Sequence, residues 1–226
     1  MKKVIGIVIF ILLLFVIIFY KDLKAQYILR KEVNIIYKLD WNKEEINMNI
    51  KSSGESAKVE KIIKEYYNEL YNYRKEYDSI ELYQTCTDVF SLNNLKNGDL
   101  NKSKTIVSEL YNQRNNVSTK ITKVIDNDYI LSLIENKEIK KYYIWLYKRY
   151  TISNDIELIK GWNIEKEKDK IVHDLTIEAL DVLINNKDIW HVENNKLYFN
   201  DATILKQYND LVYQLNNRGN LEIKES

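Results

Sequence analysis

The sequence contains no proline, one cysteine, five glycines and two histidines, and each scarcity excludes a class of site. The single cysteine, Cys86, rules out disulfide bonds within the chain and a zinc site built from several cysteines. Five scattered glycines cannot form the glycine-rich loop that holds nucleotide phosphates. His173 and His191 fall in different predicted elements, and neither belongs to the His-Glu-x-x-His motif of zinc enzymes. The sequence therefore predicts no catalytic residues, no cofactor and no metal.

What the chain does contain is a balanced set of charges, 34 basic and 33 acidic side chains among 226 residues. A formal charge of +1 creates no field that would attract nucleic acid, so no nucleic-acid partner is expected. Apolar residues make up 45% of the sequence, which is enough for a folded core. The abundance of lysine, asparagine, isoleucine and tyrosine is typical of an AT-rich genome and suggests a bacterium.

Residues 4–20 form an uncharged apolar run between Lys2-Lys3 and Lys21. A helix of this length measures about 26 Å, at the lower end of what crosses a bilayer core of about 30 Å. A cleaved export signal is the alternative, but its cleavage site needs small residues, and charged residues crowd around Ala25. We predict a retained transmembrane signal-anchor over residues 1–21, with residues 4–20 contacting the membrane.

The charges on the two sides of this run predict opposite membrane orientations, depending on which rule is applied. Two lysines precede it and four basic residues follow it, which by the positive-inside rule keeps the rest of the chain in the cytoplasm. However, a short basic start directly before an apolar run is the layout of an export signal, and large domains cross largely regardless of charge. We predict a single-pass protein of the cell membrane with its C-terminal domain outside.

The strongest periodicity after the anchor lies in a predicted helical hairpin over residues 55–125. Apolar residues in 59–80 recur with alternating steps of four and three, the spacing of a coiled-coil seam. A second such run in 103–124 has Arg114 at one seam position, where a polar residue can set the register. The first seam is predicted to pack within the hairpin or, as the alternative, against another envelope protein. It consists of Val59, Ile63, Tyr66, Leu70, Tyr73, Tyr77 and Ile80.

The segments around the hairpin are predicted from weaker patterns. Residues 22–54 form a juxtamembrane stalk that continues the first helix and includes a short strand at 45–51. Residues 126–226 form a mixed α/β part, with a strand at 155–165 and an amphipathic helix at 168–185. A β-hairpin follows that turns at Asn194-Asn195. Asp201 then caps a last helix, which Gly219 ends.

These elements predict a mainly α fold with one transmembrane helix, an antiparallel helical hairpin, and C-terminal helices with a small β-hairpin. Residues 139–152 suit either a helix or a strand, because their apolar residues have helical spacing but the segment is rich in β-branched and aromatic residues. The alternative is therefore an α+β fold with a short antiparallel sheet from residues 129–164 and 189–199.

One predicted surface could bind a ligand without doing chemistry. If residues 139–152 are helical, Lys141, Trp145 and Lys148 share a flank. Such a basic and aromatic flank could rest on anionic lipid headgroups, stack on sugars or bind a wall polymer. A core helix with ordinary surface lysines is the simpler interpretation of the same pattern.

Together, these patterns predict a non-enzymatic interaction or scaffold module of the bacterial cell envelope. One alternative is an envelope enzyme acting on cell-wall polymer, with a site around Trp162, His173, Trp190 and His191. Another is a membrane-active toxin or holin-like protein, although the remainder of the chain is too charged to insert.

Overall fold

The computed structural model describes residues 2–39, 44–126, 129, 132, 141 and 152–217, with the backbone alone for residues 2–12 and 152–158. It is mainly helical with one small antiparallel sheet, as the sequence predicts. In chain order the elements are α1 (Lys2–Tyr37), α2 (Gly54–Ser79), α3 (Leu82–Asp88), α4 (Leu92–Asn97), α5 (Leu100–Val124), α6 (Ile152–Asn185), β1 (Trp190–Glu193), β2 (Lys196–Phe199) and α7 (Ala202–Asn216).

The chain divides into two compact units, each made from two stretches of sequence. The first unit comprises Met1–Asn72 and Lys123–Ile156, and the second comprises Tyr73–Thr122 and Glu157–Ser226. Three helices, α2, α5 and α6, therefore contribute residues to both units.

In the first unit, α1 continues beyond residue 21 as one helix to Tyr37, whereas the role of residues 22–54 as a juxtamembrane stalk stays a prediction. Four apolar residues of this continuation are buried at helical spacing, and so are four seam residues of α2. An ion pair of 3.1 Å between Glu32 and Lys64 joins the two helices. The buried sets are Ala25, Leu29, Val33 and Ile36 on α1, and Val59, Ile63, Tyr66 and Leu70 on α2.

The strand predicted at 45–51 is wrong. These residues belong to no strand, and only Ile46 of the three alternating apolar residues is buried, whereas Met48 and Ile50 are exposed. The backbone N–H groups of Lys51 and Ser52 donate to the Glu60 carboxylate instead of to a neighbouring strand. Alternation alone does not make a strand when no second strand pairs with it.

The transmembrane part of the fold prediction is not supported by the structure. Among the described residues, no helix combines the length and the apolar character that a bilayer crossing requires. The side chains of residues 2–12, which include more than half of the apolar run, lie outside that description. The transmembrane segment over residues 1–21 stays a prediction.

In the second unit, the end of α2 lies antiparallel to α5. The Arg114 guanidinium donates to the Tyr77 carbonyl at 3.2 Å, and the Lys120 ammonium lies 5.3 Å from the centre of the Tyr73 ring. Residues later in α5 therefore meet residues earlier in α2, which is the antiparallel arrangement that the sequence predicts. The reversal between them contains α3 and α4 rather than a simple loop.

The helix α6 corrects two predictions. Residues 155–165 are helical, not a strand, so the alternative sheet from residues 129–164 is also wrong in that part. Buried residues recur along α6 at steps of three, four and seven, which is a continuous helical stripe. The stripe consists of Trp162, Asp169, Val172, Thr176, Ala179 and Leu183.

The β-hairpin and the last helix match their predictions closely. β1 and β2 pair antiparallel, with Trp190 opposite Phe199 and Glu193 opposite Lys196. Asn194 and Asn195 form the turn, both with positive φ, and the Asp201 side chain accepts from the N–H groups of Thr203 and Ile204. Gly219 lies outside the described residues.

The inner face of the hairpin and α7 complete one of two apolar clusters among the described residues of the second unit. This cluster has Leu95, Ala179, Val182, Leu183 and Tyr208 at its centre. The other is built around Leu82, Cys86, Val89, Val107, Val172, Leu180 and Leu215.

Candidate functional site

The predicted seam is largely enclosed within the single chain. Five of its seven residues, Val59, Ile63, Tyr66, Leu70 and Tyr77, are buried, and Tyr73 and Ile80 are half-buried. A partner helix could reach the buried residues only if the surrounding helices moved apart. The role of the seam as a partner surface therefore stays a prediction, and packing within the chain accounts for its spacing.

The predicted basic and aromatic patch is described only in part. Lys141 is helical and exposed. Trp145 and Lys148 lie outside the described residues, so the common flank stays a prediction.

The four residues of the predicted envelope-enzyme site have separate surroundings. Trp162 is buried edge-on against the Tyr77 ring, with 5.1 Å between ring centres. The Trp190 indole donates to the Leu183 carbonyl at 2.7 Å. His191 stacks on Tyr198 on the outer face of the β-hairpin. His173 stacks on Tyr111 at 4.3 Å.

An open groove of about 470 Å³ in the second unit contains none of these four residues in its walls. Seven of its nine lining residues carry a carboxylate or an amide, and the Asp181 carboxylate is paired with the Lys104 ammonium at 2.6 Å. The lining residues are Glu178, Asp181, Val182, Asn185, Asn186, Gln207, Asp210, Leu211 and Gln214.

His173 is nevertheless the residue with the most chemically suggestive neighbours. Its Nδ1 lies 2.8 Å from the Asp174 carboxylate, and its Nε2 lies 3.5 Å from the Ser108 hydroxyl. Although burial alone would raise the pKa of Asp174, hydrogen bonds from Lys170 and His173 hold it below its usual value. The order serine, histidine, aspartate resembles a hydrolytic triad, but 3.5 Å is at the outer limit of a hydrogen bond. We therefore assign this group to packing between α5 and α6.

Sequence reasoning missed a buried polar cluster in the second unit, the tetrad Tyr77, Tyr83, Arg114 and Asp169. The Asp169 carboxylate accepts from both tyrosine hydroxyls at 2.8 Å and from the Arg114 Nε at 2.9 Å. The guanidinium lies over the Tyr77 ring at 3.8 Å and donates to the carbonyls of Tyr77 and Ile80.

The tetrad is electrically balanced and saturated with hydrogen bonds. Burial is the largest cause that raises the pKa of both tyrosines, and the charge of Asp169 and its hydrogen bonds raise it further, so the tyrosines stay protonated donors. Burial alone would lower the pKa of Arg114, but the charge of Asp169, the Tyr77 side chain and the hydrogen bonds to both together raise that pKa. Because the donors and acceptors satisfy one another, the tetrad fixes structure and does not present a reactive group.

The first unit contains a second balanced cluster, built on Glu32, Glu60 and Lys64, whose side chains are 6%, 1% and 1% exposed. The Lys64 ammonium lies 2.7 Å from Glu60 and 3.1 Å from Glu32, and it donates to the Asn49 carbonyl. The Lys51 ammonium lies 3.0 Å from the Glu32 carboxylate and supplies the second positive charge of the cluster. Burial would raise the pKa of Glu60, but hydrogen bonds from Lys64, Ser52 and the backbone lower it.

The described surface that departs most from an ordinary one is the first part of α1. Leu13, Leu14, Phe15, Val16, Ile17, Ile18, Phe19 and Tyr20 are all between 43% and 68% exposed. Eight successive residues of a helix cover its whole circumference, so this segment is apolar and uncovered on every side.

Neither the metal-binding side chains of the described residues nor similarity to known proteins identifies a further site. Among the residues that the structure describes, no three metal-binding side chains lie close enough together to hold an ion. Comparison with protein-family models, with curated proteins and with solved structures gives no match.

Proposed function

We propose that this chain is a membrane-anchored, non-enzymatic interaction module of the bacterial cell envelope, with its C-terminal part outside the cell membrane. The observation that supports the anchor is the uncovered apolar segment Leu13–Tyr20. Leaving eight such side chains in water loses on the order of 10 kcal/mol of the free energy that their burial would contribute. That is as much as the whole net stability of a typical domain, so this segment needs a cover.

Lipid is the cover that fits this segment best. A protein partner covers one face of a helix, whereas lipid contacts every face at once. The segment belongs to the uncharged run of residues 4–20, and the exposed Lys21 follows it directly. A long basic side chain at that position can extend its ammonium to the headgroups while its stem stays in apolar surroundings.

The two saturated clusters support a structural rather than a catalytic role. Catalytic carboxylates and bases act through an atom that can reach substrate. In both clusters the buried charges are instead bound to one another, as Asp169 is to Arg114 and Glu60 is to Lys64. We infer that these groups fix helices that present a binding surface to another envelope protein.

The anchor and its orientation are tested together with C-terminal fusions to alkaline phosphatase and to green fluorescent protein. We expect the chain to stay in the membrane pellet after an alkaline carbonate wash, with an active phosphatase fusion and a dark fluorescent fusion. Replacing Leu14 and Ile17 by arginine should release it, because each arginine inside a membrane helix costs up to about 2.5–3.5 kcal/mol.

The matched control replaces two exposed apolar residues of α7, Leu205 and Tyr213, by arginine, and this variant should stay in the pellet. Wild-type protein in the supernatant would overturn the anchor. A bright fluorescent fusion with an inactive phosphatase fusion would overturn the orientation alone.

A further inference from the structure

The helix α1 has a second apolar face beyond the uncovered segment. Leu23 is 49% exposed and Tyr27 is 68% exposed, although Lys21, Asp22, Lys24 and Gln26 around them are polar. Apolar residues that project from a polar stretch are not explained by lipid around residues 4–20. They need a cover of their own.

These two residues continue a regular stripe. Leu13, Val16, Tyr20, Leu23 and Tyr27 follow one another at steps of three, four, three and four, and all are exposed. We call these five residues the outer stripe. This spacing is that of positions a and d in a heptad, the seam of a two-stranded coiled coil. The stripe ends at Tyr27, because the next two seam positions are occupied by the polar residues Arg30 and Asn34.

The opposite face of α1 is already used by the chain itself. Ala25, Leu29 and Ile36 are buried, and at about 100° per residue Leu23 and Tyr27 lie about 160–200° from Ala25 around the helix axis. The outer stripe is therefore free while the inner face packs in the first unit.

We propose that the outer stripe pairs α1 in parallel with α1 of a second copy of this chain. The inference rests on the proposed membrane anchor, because two copies anchored by the same run share direction and depth. Tyr20 then meets Tyr20 and Leu23 meets Leu23 without any search for register. Confinement to one membrane also raises the effective concentration of the second copy.

The flanking charges are compatible with this partner. In a parallel pair, each position g faces position e of the following heptad in the other helix. With Leu13, Tyr20 and Tyr27 at position a, Phe19 faces Lys24 and Gln26 faces Lys31. Neither contact opposes like charges, so the copies are not repelled along the stripe.

Cysteine crosslinking of the full-length chain in membranes tests the pairing. The native Cys86 is buried and is first replaced by alanine, which leaves a background without thiols. Single cysteines are then placed at Leu23 and Tyr27 on the stripe, and at the exposed Lys21 and Asp22 as controls off the stripe. Copper phenanthroline oxidises the membranes, and non-reducing gels measure the band at twice the monomer mass.

The two stripe positions should crosslink at least about fivefold more than the two controls, because a disulfide needs Cα atoms within about 7 Å. Adding Leu23→Lys to the Tyr27→Cys chain should abolish its band, whereas adding Lys21→Glu should not. Retention in the pellet with equal or absent crosslinking at all four positions would overturn the pairing and leave the anchor standing. Release into the carbonate supernatant would overturn the anchor and the pairing with it.

Discussion

Arg114 is the residue on which the second unit depends most. Replacing it by leucine leaves the Asp169 carboxylate buried without its positive partner, and Asp169 is only 2% exposed. We expect the free energy of unfolding to fall by about 3–5 kcal/mol, the usual cost of removing one partner of a buried ion pair. Urea unfolding of the full chain in detergent, followed by tryptophan fluorescence, measures this loss.

The control for Arg114 is Arg74→Leu, which removes an exposed arginine paired with Asp78 at 2.7 Å and should cost at most about 1 kcal/mol. A double replacement of Arg114 and Asp169 by leucine should recover part of the stability, because no unpaired charge remains, although the two tyrosine hydroxyls of the tetrad lose Asp169 as their acceptor. Equal losses for Arg114→Leu and Arg74→Leu would show that the tetrad does not hold the unit together.

At the residue scale, the sequence identifies one half of this pair and not the other. Arg114 stands out because it interrupts an apolar seam, which indicates a buried polar position. Asp169 gives no such signal, because an acid among lysines normally indicates a solvated surface. The two residues are 55 positions apart in the chain, and no local pattern contains that contact.

At the element scale, the β-hairpin turn offers a direct test of local conformation. Asn194 and Asn195 have φ values of 50° and 56°, the left-handed region that a type I′ turn requires at both central residues. Asn195→Val should destabilise the chain by about 1–2 kcal/mol, because a β-branched side chain strains that region. Asn195→Gly should leave stability unchanged or slightly raised, since Asn-Gly is the preferred pair.

Thermal unfolding distinguishes the two turn variants, because about 1 kcal/mol shifts Tm by about 2–4 °C in a chain of this size. The valine variant should also alter tryptophan fluorescence, since Trp190 in β1 donates to the Leu183 carbonyl. Identical Tm values for the valine and glycine variants would contradict the turn assignment.

The elements that sequence predicts well are those whose signals are local. The turn, the Asp201 cap and the two long helices of the hairpin each depend on residues within a few positions. The strand predictions fail because pairing is not local: among the described residues, no strand pairs with residues 45–51. Residues 155–165 are part of the helix α6. Their helical spacing is seen only when Trp162 is considered together with Asp169 and Val172, which lie beyond this segment.

At the scale of the whole molecule, α1 divides its surface between two environments. Its inner face packs within the first unit, and the outer stripe and the segment Leu13–Tyr20 are left uncovered. A monomer in water would leave this apolar surface exposed, which is costly. The proposed membrane anchoring and the proposed pairing through α1 would together remove that cost and would leave the rest of the chain available to a different partner.

The interaction role is tested by affinity purification of the full chain from solubilised membranes. We expect a second envelope protein to co-purify in near-equal amount, identified by mass spectrometry. Arg114→Leu is the matched control, because it destabilises the second unit while leaving α1 unchanged. This variant should remain in the membrane and pair with itself but lose the second protein. Recovery of wild-type chain with only copies of itself would count against an interaction module and would leave the pairing of α1 intact.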